Sequence, residues 1–272
     1  MRQIVAALAM HESDINVIQK SEELAQRTGA KVTYVHAVEA PFFDFFGHKN
    51  IDEDKIKKEL EDSVKKHSKA KNINITIAAV KGWELILKTA KDSSADLVIL
   101  GNMSKSHAVV YMGSTAKKVL EKIGVPVLIA RDKPLSGKIL IPTDLGEYTM
   151  SASKIKDFLK SDSEITYLYA NAISFGVTVP YATLAVESLE FVQEEVEKQV
   201  EDFRKNRTDA KVVTLDAETV SESVKEYAEQ NGYTTIVLAS RNLSGLNPII
   251  FGSTASKIAQ IANTNLLLTF VE

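Results

Sequence analysis

The sequence predicts an α/β protein of two tandem domains, each a five-stranded parallel sheet flanked by helices. Three observations predict it. Short apolar runs alternate with stretches of helical periodicity, joined by short turns. One complete unit is legible at Ala95–Ala130: Leu97–Leu100 reads as a buried strand, and Gly101 ends it. A polar segment leads to Gly113-Ser114-Thr115, then Ala116, Val119, Leu120 and Ile123 fall at helical spacing, Gly124 closes the helix, and Val125–Ile129 is a second apolar run. Third, the unit returns at Thr235–Phe270, where Gly252-Ser253-Thr254-Ala255 stands in place of Gly113-Ser114-Thr115-Ala116.

The elements follow in order. Residues 2–8 read as a strand, and Asp14 as the cap of a helix that runs through Thr28, with Gly29 as its stop. Val32–Val38 is the second strand. Pro41–Gly47 then carries Phe42, Phe43, Phe45 and Phe46. A helix of mixed charge over 52–70, a strand over 73–80 and a short helix over 83–92 lead into the unit above. The second half repeats the order: strand 138–142, helix 147–160, strand 164–169, and a loop with Phe175, Val177, Val179 and Tyr181. There follow a long helix over 184–206 (Leu189, Val192, Val196 and Phe203 on one face), strand 211–215 and helix 218–230. Ile4–Ala7 matches Ile139–Pro142, and Lys31–His36 matches Glu164–Tyr169. The chain is one domain written twice, 1–131 and 138–272, with a short linker around Lys133-Pro134 and Ser136-Gly137.

Composition narrows the function. The 272 residues suffice for two ordinary cores, and 44% hydrophobic with 25% charged residues is globular usage. The absence of cysteine excludes disulfides and thiolate metal sites and fits a reducing, cytoplasmic setting. A formal charge of −3 offers no electrostatic reason for nucleic acid, and no apolar run approaches a membrane span of ~20 residues. The start, MRQIVAALAMHES, is too short in its apolar part for a signal peptide.

The Gly113-Ser114-Thr115 turn has two readings. Helix starts present free N–H groups to phosphate, and glycine admits close backbone approach. Equally, Ser and Thr there serve as caps. His11, His36 and His107 fall on one rim of the sheet, which raises a metal site, although no tight His spacing accompanies them. The two aromatic loops read either as lids or as partner surfaces, and Trp83 reads as helix–sheet packing. No nucleophile elbow, Walker A turn, HExxH or paired catalytic carboxylate is present.

On these residues both halves resemble universal stress protein domains, so the whole is similar to a tandem universal stress protein. The resemblance implies an adenine-nucleotide α-hydrolase-like (Rossmann-like) fold with strand order 3-2-1-4-5, and a pseudo-dimer within the chain through the fifth strands, with a homodimer as a further expectation. Nucleotide-binding members carry Gly-x2-Gly-x9-Gly-Ser after the fourth strand, an acid after the first strand and a valine at the end of the third. In the first half Gly101, Gly113, Ser114 and Val80 match, with Thr115 beside them; Ser104 replaces the second glycine, the spacing is one residue short, and Ala9 replaces the acid, with Glu12 nearby. In the second half Asp144 supplies the acid and Gly252, Ser253 and Thr254 the helix start, but Ser240 and Leu243 replace both loop glycines and the valine position falls near Asp216. The resemblance therefore implies a stress-response binding protein, not an enzyme, that takes ATP or another adenine nucleotide weakly, domain 1 favoured. The alternatives are a nucleotide-independent adaptor, a small-ligand or metal-binding protein, and a slow ATPase.

Overall fold

A computed structural model gives the structure and describes residues 1–38, 52–69, 73–101, 113–146, 149–172, 182–241 and 252–271. The first repeat comprises β1 (Gln3–Ala7), α1 (Asp14–Thr28), β2 (Lys31–Ala37), α2 (Glu53–His67), β3 (Asn74–Ala78), α3 (Gly82–Asp92), β4 (Leu97–Gly101), α4 (Ser114–Leu120) and β5 (Val127–Ala130). The second comprises β6 (Lys138–Pro142), α5 (Ala152–Leu159), β7 (Ile165–Asn171), α6 (Ala182–Asn206), β8 (Lys211–Asp216), α7 (Val220–Gln230), β9 (Tyr233–Arg241), α8 (Ser253–Ile261) and β10 (Asn265–Val271). The two aromatic loops, Ser104, His107 and Leu243 lie outside the described residues.

All these strands join one sheet in the order β3-β2-β1-β4-β5-β10-β9-β6-β7-β8. Each half thus has the order 3-2-1-4-5 expected of it. Within each half the pairs are parallel; where the halves meet, β5 and β10 pair antiparallel, Leu128 facing Leu267 with Ile129–Leu266 and Val127–Leu268 on either side. Leu128 and Leu267 stand at the same sequence offset as Gly113 and Gly252, so a pseudo-twofold axis passes between them.

Strand alternation feeds two apolar layers. Val5, Val98 and Ile129 pack with Leu85 and Ile86 of α3, Val119 of α4, Val224 of α7 and Ile258 of α8. Ile4, Ala6, Ile99 and Leu128 face the other way, onto Val17 and Ile18 of α1, Leu60 of α2, Ile155 of α5 and Phe203 of α6. The α1 helix ends as its sequence demands: Gly29 takes φ +73 and its N–H bonds the Ala25 carbonyl at 2.8 Å.

Three local expectations are corrected. Asp14 begins α1 but does not cap it; its carboxylate reaches back to the backbone of Ala9 and His11. The α4 helix stops at Leu120 with Glu121 as its C-terminal cap, so Gly124 plays no part in ending it. The α5 helix begins at Ala152, where Ser151 caps it through the Lys154 N–H; Thr149, just before it, bonds the Thr143 hydroxyl at 2.7 Å.

The seam carries its own polar lock. Asn265, fully buried, accepts the Arg131 N–H at 2.9 Å and donates to the carbonyls of Lys133 (2.9 Å) and Pro134 (3.4 Å). The Arg131 guanidinium is buried as well and donates to the Ala259 carbonyl at the end of α8 at 3.4 Å; burial pulls its pKa down to about 10. Asn265→Ala leaves these buried backbone groups without partners and is expected to cost about 2–3 kcal/mol in chemical denaturation. The exposed Asn263→Ala, which loses one surface bond to Glu229, is expected to stay within about 0.5 kcal/mol of the parent.

Candidate functional site

Parallel sheets take ligands at the C-terminal strand ends where the strand order reverses, here between β1 and β4. A cleft of about 480 Å³ opens at that point. Its walls are Leu8 and Ala9 after β1, His36 on β2, Leu100 and Gly101 on β4, Ser13 and Asp14 at the start of α1, Gly82 and Leu85 on α3, and Gly113-Ser114-Thr115 at the start of α4.

Gly101 makes a close approach: a Cβ there would sit 3.0 Å from Ser13 Oγ and 3.3 Å from Val17 Cγ2, and those side chains would have to give by a few tenths of an ångström to admit it. At Gly113 the backbone is ordinary, φ −57, and a Cβ would meet nothing within 4 Å among the described residues. The backbone N–H of Lys117 is the first in α4 to bond back, to the Gly113 carbonyl at 3.1 Å. Among the described residues, the preceding N–H groups of Ser114, Thr115 and Ala116 carry no such helical bond, as expected at a helix start.

The acid of this cleft is Asp14. It is 6% exposed, and its carboxylate accepts the Ala9 N–H at 2.9 and 3.1 Å and the His11 N–H at 3.3 Å. These bonds hold a loop in which Met10 takes the left-handed φ +55. Burial raises the Asp14 pKa above the ordinary 3.8, against the pull of the N–H groups of Ala9, His11 and Met10 and of His36. The expected acid position, Ala9, is exposed and contributes only its backbone; Glu12 is exposed. Sequence reasoning missed Asp14 because it read the residue as a helix cap. The one available signal was its place five residues beyond the expected acid, on the same turn. His36 lines the cleft with Nδ1 2.9 Å from the Leu8 carbonyl. A carbonyl only accepts, so Nδ1 carries the proton and Nε2 is left as the ring's acceptor.

The second half places its expected residues differently. Asp144 is exposed and accepts the Gly146 N–H at 3.0 Å, Leu145 takes φ +63, and Gly252, Ser253 and Thr254 are exposed at the start of α8. Ser240, in the place of Gly101, is 3% exposed. Thr149, the counterpart of Asp14, is buried and bonds Thr143. Asp216 ends β8 far from this turn, across β7 from β6.

Of the remaining candidates, Val80 lies two residues beyond β3, is 40% exposed and is not on the cleft wall. Trp83 packs against the layer of α3 and α4, with the ammonium groups of Lys118 and Lys122 5.6 and 5.7 Å from its ring centre. His11 Nδ1 accepts the Ser13 N–H at 3.2 Å. Among the described residues no group of three or more His, Asp or Glu is placed to hold a metal ion, and no helix is long and apolar enough to cross a membrane.

The raised Asp14 pKa has a stability consequence of definite sign. The folded chain holds this proton more tightly than the unfolded chain, so the stabilisation is complete below 3.8 and is lost as pH rises through the raised value. In denaturant titrations, Asp14→Asn is therefore expected to gain on the parent as pH rises above 3.8, the difference growing until the raised value is passed. A difference that stays constant as pH rises from below 3.8 to neutrality would contradict the assignment.

Comparison with known proteins identifies the fold and the family. The family model described as the universal stress protein family matches twice, over residues 1–131 and 136–269. Universal stress protein A homolog 2 of Coxiella burnetii is 29% identical over 140 residues, which cover 48% of this chain and 96% of that protein. Two solved structures share the fold over the whole chain. One is a functionally unknown protein of Pseudomonas aeruginosa PAO1 (TM-score 0.70, 12% identity, 100% of this chain and 93% of that one). The other is a universal stress protein of Archaeoglobus fulgidus DSM 4304 (TM-score 0.64, 16% identity, 98% of each chain). With both halves matched, the chain belongs to the universal stress protein family.

Proposed function

We propose that this protein is a regulatory binding protein whose first-half cleft takes an adenine nucleotide weakly, and that it has no robust turnover. The observation that carries the reading is the cleft itself. Its volume of about 480 Å³ lies within the range of small-molecule sites, and it stands at the strand-order switch point. The Gly101 strand end and the Gly113-Ser114-Thr115 turn offer it backbone N–H and hydroxyl donors. Thr115 and Gly113 are half-buried there, whereas Gly252, Ser253 and Thr254 are all exposed, which supports the first half over the second.

Weak binding follows from the lining. The Asp14 carboxylate is already engaged by backbone N–H groups, and Ala9 brings no carboxylate to a ribose or an adenine amino group. One missing charge-assisted hydrogen bond lowers affinity by about 1.5–3 kcal/mol, roughly ten- to a hundred-fold. A second reading, a small ligand with little negative charge, is favoured by one feature: the described cleft walls hold no lysine or arginine.

Calorimetric titration with ATP tests the assignment. Binding in the micromolar-to-millimolar range is expected, about −4 to −8 kcal/mol. Gly113→Val is expected to lose it and Gly252→Val to keep it, since a Cβ meets nothing within 4 Å at either position and both variants should fold. Loss in Gly252→Val alone would place the site in the second half, and binding of adenosine without ATP would favour the second reading. Steady ATP hydrolysis above background that Gly113→Val abolishes would overturn the binding-protein reading.

A further inference from the structure

We propose that Ser13 reads the sugar of the ligand in the first-half cleft: its Oγ accepts a ribose hydroxyl where the strand order reverses between β1 and β4. The inference rests on the nucleotide reading of the cleft and names a specificity-determining residue within it. Its grounds are a hydroxyl that the adjoining helix does not use, its place against Gly101, and the direction of its proton.

A serine just before a helix usually spends its oxygen on the helix. It accepts an N–H two or three residues on, and it does so from an extended backbone. Ser13 stands just before α1, but its backbone is already helical, φ −63 and ψ −16, and its side chain makes no capping bond. The N–H groups it would have served are taken by carbonyls: Ile15 bonds Glu12 at 3.3 Å and Asn16 bonds Ser13 itself at 3.1 Å. The hydroxyl is thereby left over from the helix, on a residue that lines the cleft.

The position of that oxygen is fixed from β4. A Cβ at Gly101 would come within 3.0 Å of Ser13 Oγ, so the oxygen lies against the end of β4, beside the loop that follows β1. The start of α4, which takes the phosphates on the nucleotide reading, lines the same cleft. A nucleotide carries its sugar next to its phosphates, and the wall at Gly101 is where the sugar then stands. The proton of the hydroxyl is already placed. His11 Nδ1 accepts the Ser13 N–H at 3.2 Å, so this nitrogen is bare, and Oγ, also 3.2 Å from it, is the donor in that second contact. Oγ therefore meets a ligand with lone pairs, which suit a ribose hydroxyl and not a phosphate oxygen. The Asp14 carboxylate is engaged by the Ala9 and His11 N–H groups, and Ala9 has no acceptor in its side chain. Ser13 supplies a neutral acceptor in a cleft whose expected acid is missing.

The test is a comparison of ratios. ATP, 2′-deoxy-ATP and 3′-deoxy-ATP are titrated calorimetrically into the parent and into Ser13→Ala. The substitution removes an oxygen that bonds no helix group and adds no bulk beside Gly101, so α1 keeps its start. The parent is expected to bind ATP about three- to ten-fold more tightly than one of the two deoxy analogues, the worth of a neutral hydrogen bond. Ser13→Ala is expected to lose that preference and to bind ATP about as weakly as the parent binds that analogue. Damage to the cleft in general would weaken all the ligands alike and leave the ratio unchanged. A parent without preference for ATP over either analogue, or a preference that survives in Ser13→Ala, would overturn this inference and leave the nucleotide site standing. Loss of every ligand in Ser13→Ala while the parent binds them would mark a structural role for Ser13 and overturn it as well. Absence of ATP binding by the parent would overturn the nucleotide reading and this inference together.

Discussion

The antiparallel pairing of β5 with β10 is the constraint on which the molecule depends. Each half alone would end in a strand edge of unpaired N–H and C=O groups beside the apolar runs Val127–Ala130 and Leu266–Leu268. Joining the two edges pairs those groups and buries Leu128 and Leu267 against repeat-equivalent copies of each other. The geometry then leaves no freedom in where the sites go. Strands are parallel within a half and antiparallel across the seam, so the C-terminal ends of the two halves point in opposite directions. The first-half cleft and the corresponding strand ends of the second half therefore lie at opposite ends of one sheet.

That separation lets the two halves diverge. Both retain a non-glycine left-handed residue at the same point after the first strand, Met10 and Leu145, a conformation that costs about 1–2 kcal/mol and persists where neighbours enforce it. They enforce it by different chemistry. In the first half a carboxylate from the helix start, Asp14, gathers the loop N–H groups from inside the cleft. In the second the carboxylate lies in the loop itself, at Asp144, and the helix-start position is Thr149. The start of α5 is closed by protein groups: the Tyr167 hydroxyl accepts the Ala152 N–H at 2.8 Å, Asp209 the Ser153 N–H at 3.1 Å and Ser151 the Lys154 N–H at 3.2 Å. Arg207 adds a bond to the Thr149 carbonyl at 2.8 Å. Polar groups satisfied so completely favour a fixed structure over an adaptable site.

The fold was legible because its signals are local and doubled. Each apolar run and each Gly-Ser-Thr start occurs twice at a near-constant offset, and the strand order followed from the family resemblance. The site was legible only in its glycines. Gly101 and Gly113 line the cleft as expected, since close approach and open donors are backbone properties that a glycine announces. The acid was misread because a carboxylate acts through space. Asp14 sits at a position whose sequence context is that of a helix cap, and only the fold of the loop turns it toward Ala9. Val80 was misplaced for the opposite reason: β3 ends at Ala78, and two residues suffice to turn a side chain from sheet to solvent. Asn265 gave no signal, because its partners are distant in sequence: Arg131 at the end of the other repeat, and Lys133 and Pro134 in the linker.

The way the Asp14 carboxylate is used bears on what the cleft can do. A general base needs a free lone pair aimed at the substrate and a pKa close to the working pH. Asp14 has its raised pKa, but its oxygens are bonded to the backbone that shapes the cleft, at 2.9 to 3.3 Å. Drawing it into proton transfer would release the Ala9 and His11 N–H groups and the strained turn at Met10 with them. Among the described wall residues, the acid is engaged by the loop backbone and the imidazole holds the Leu8 carbonyl through Nδ1. Both ionisable groups of the described walls are thus tied into the backbone that shapes the cleft, which supports the proposed reading of it as a binding site.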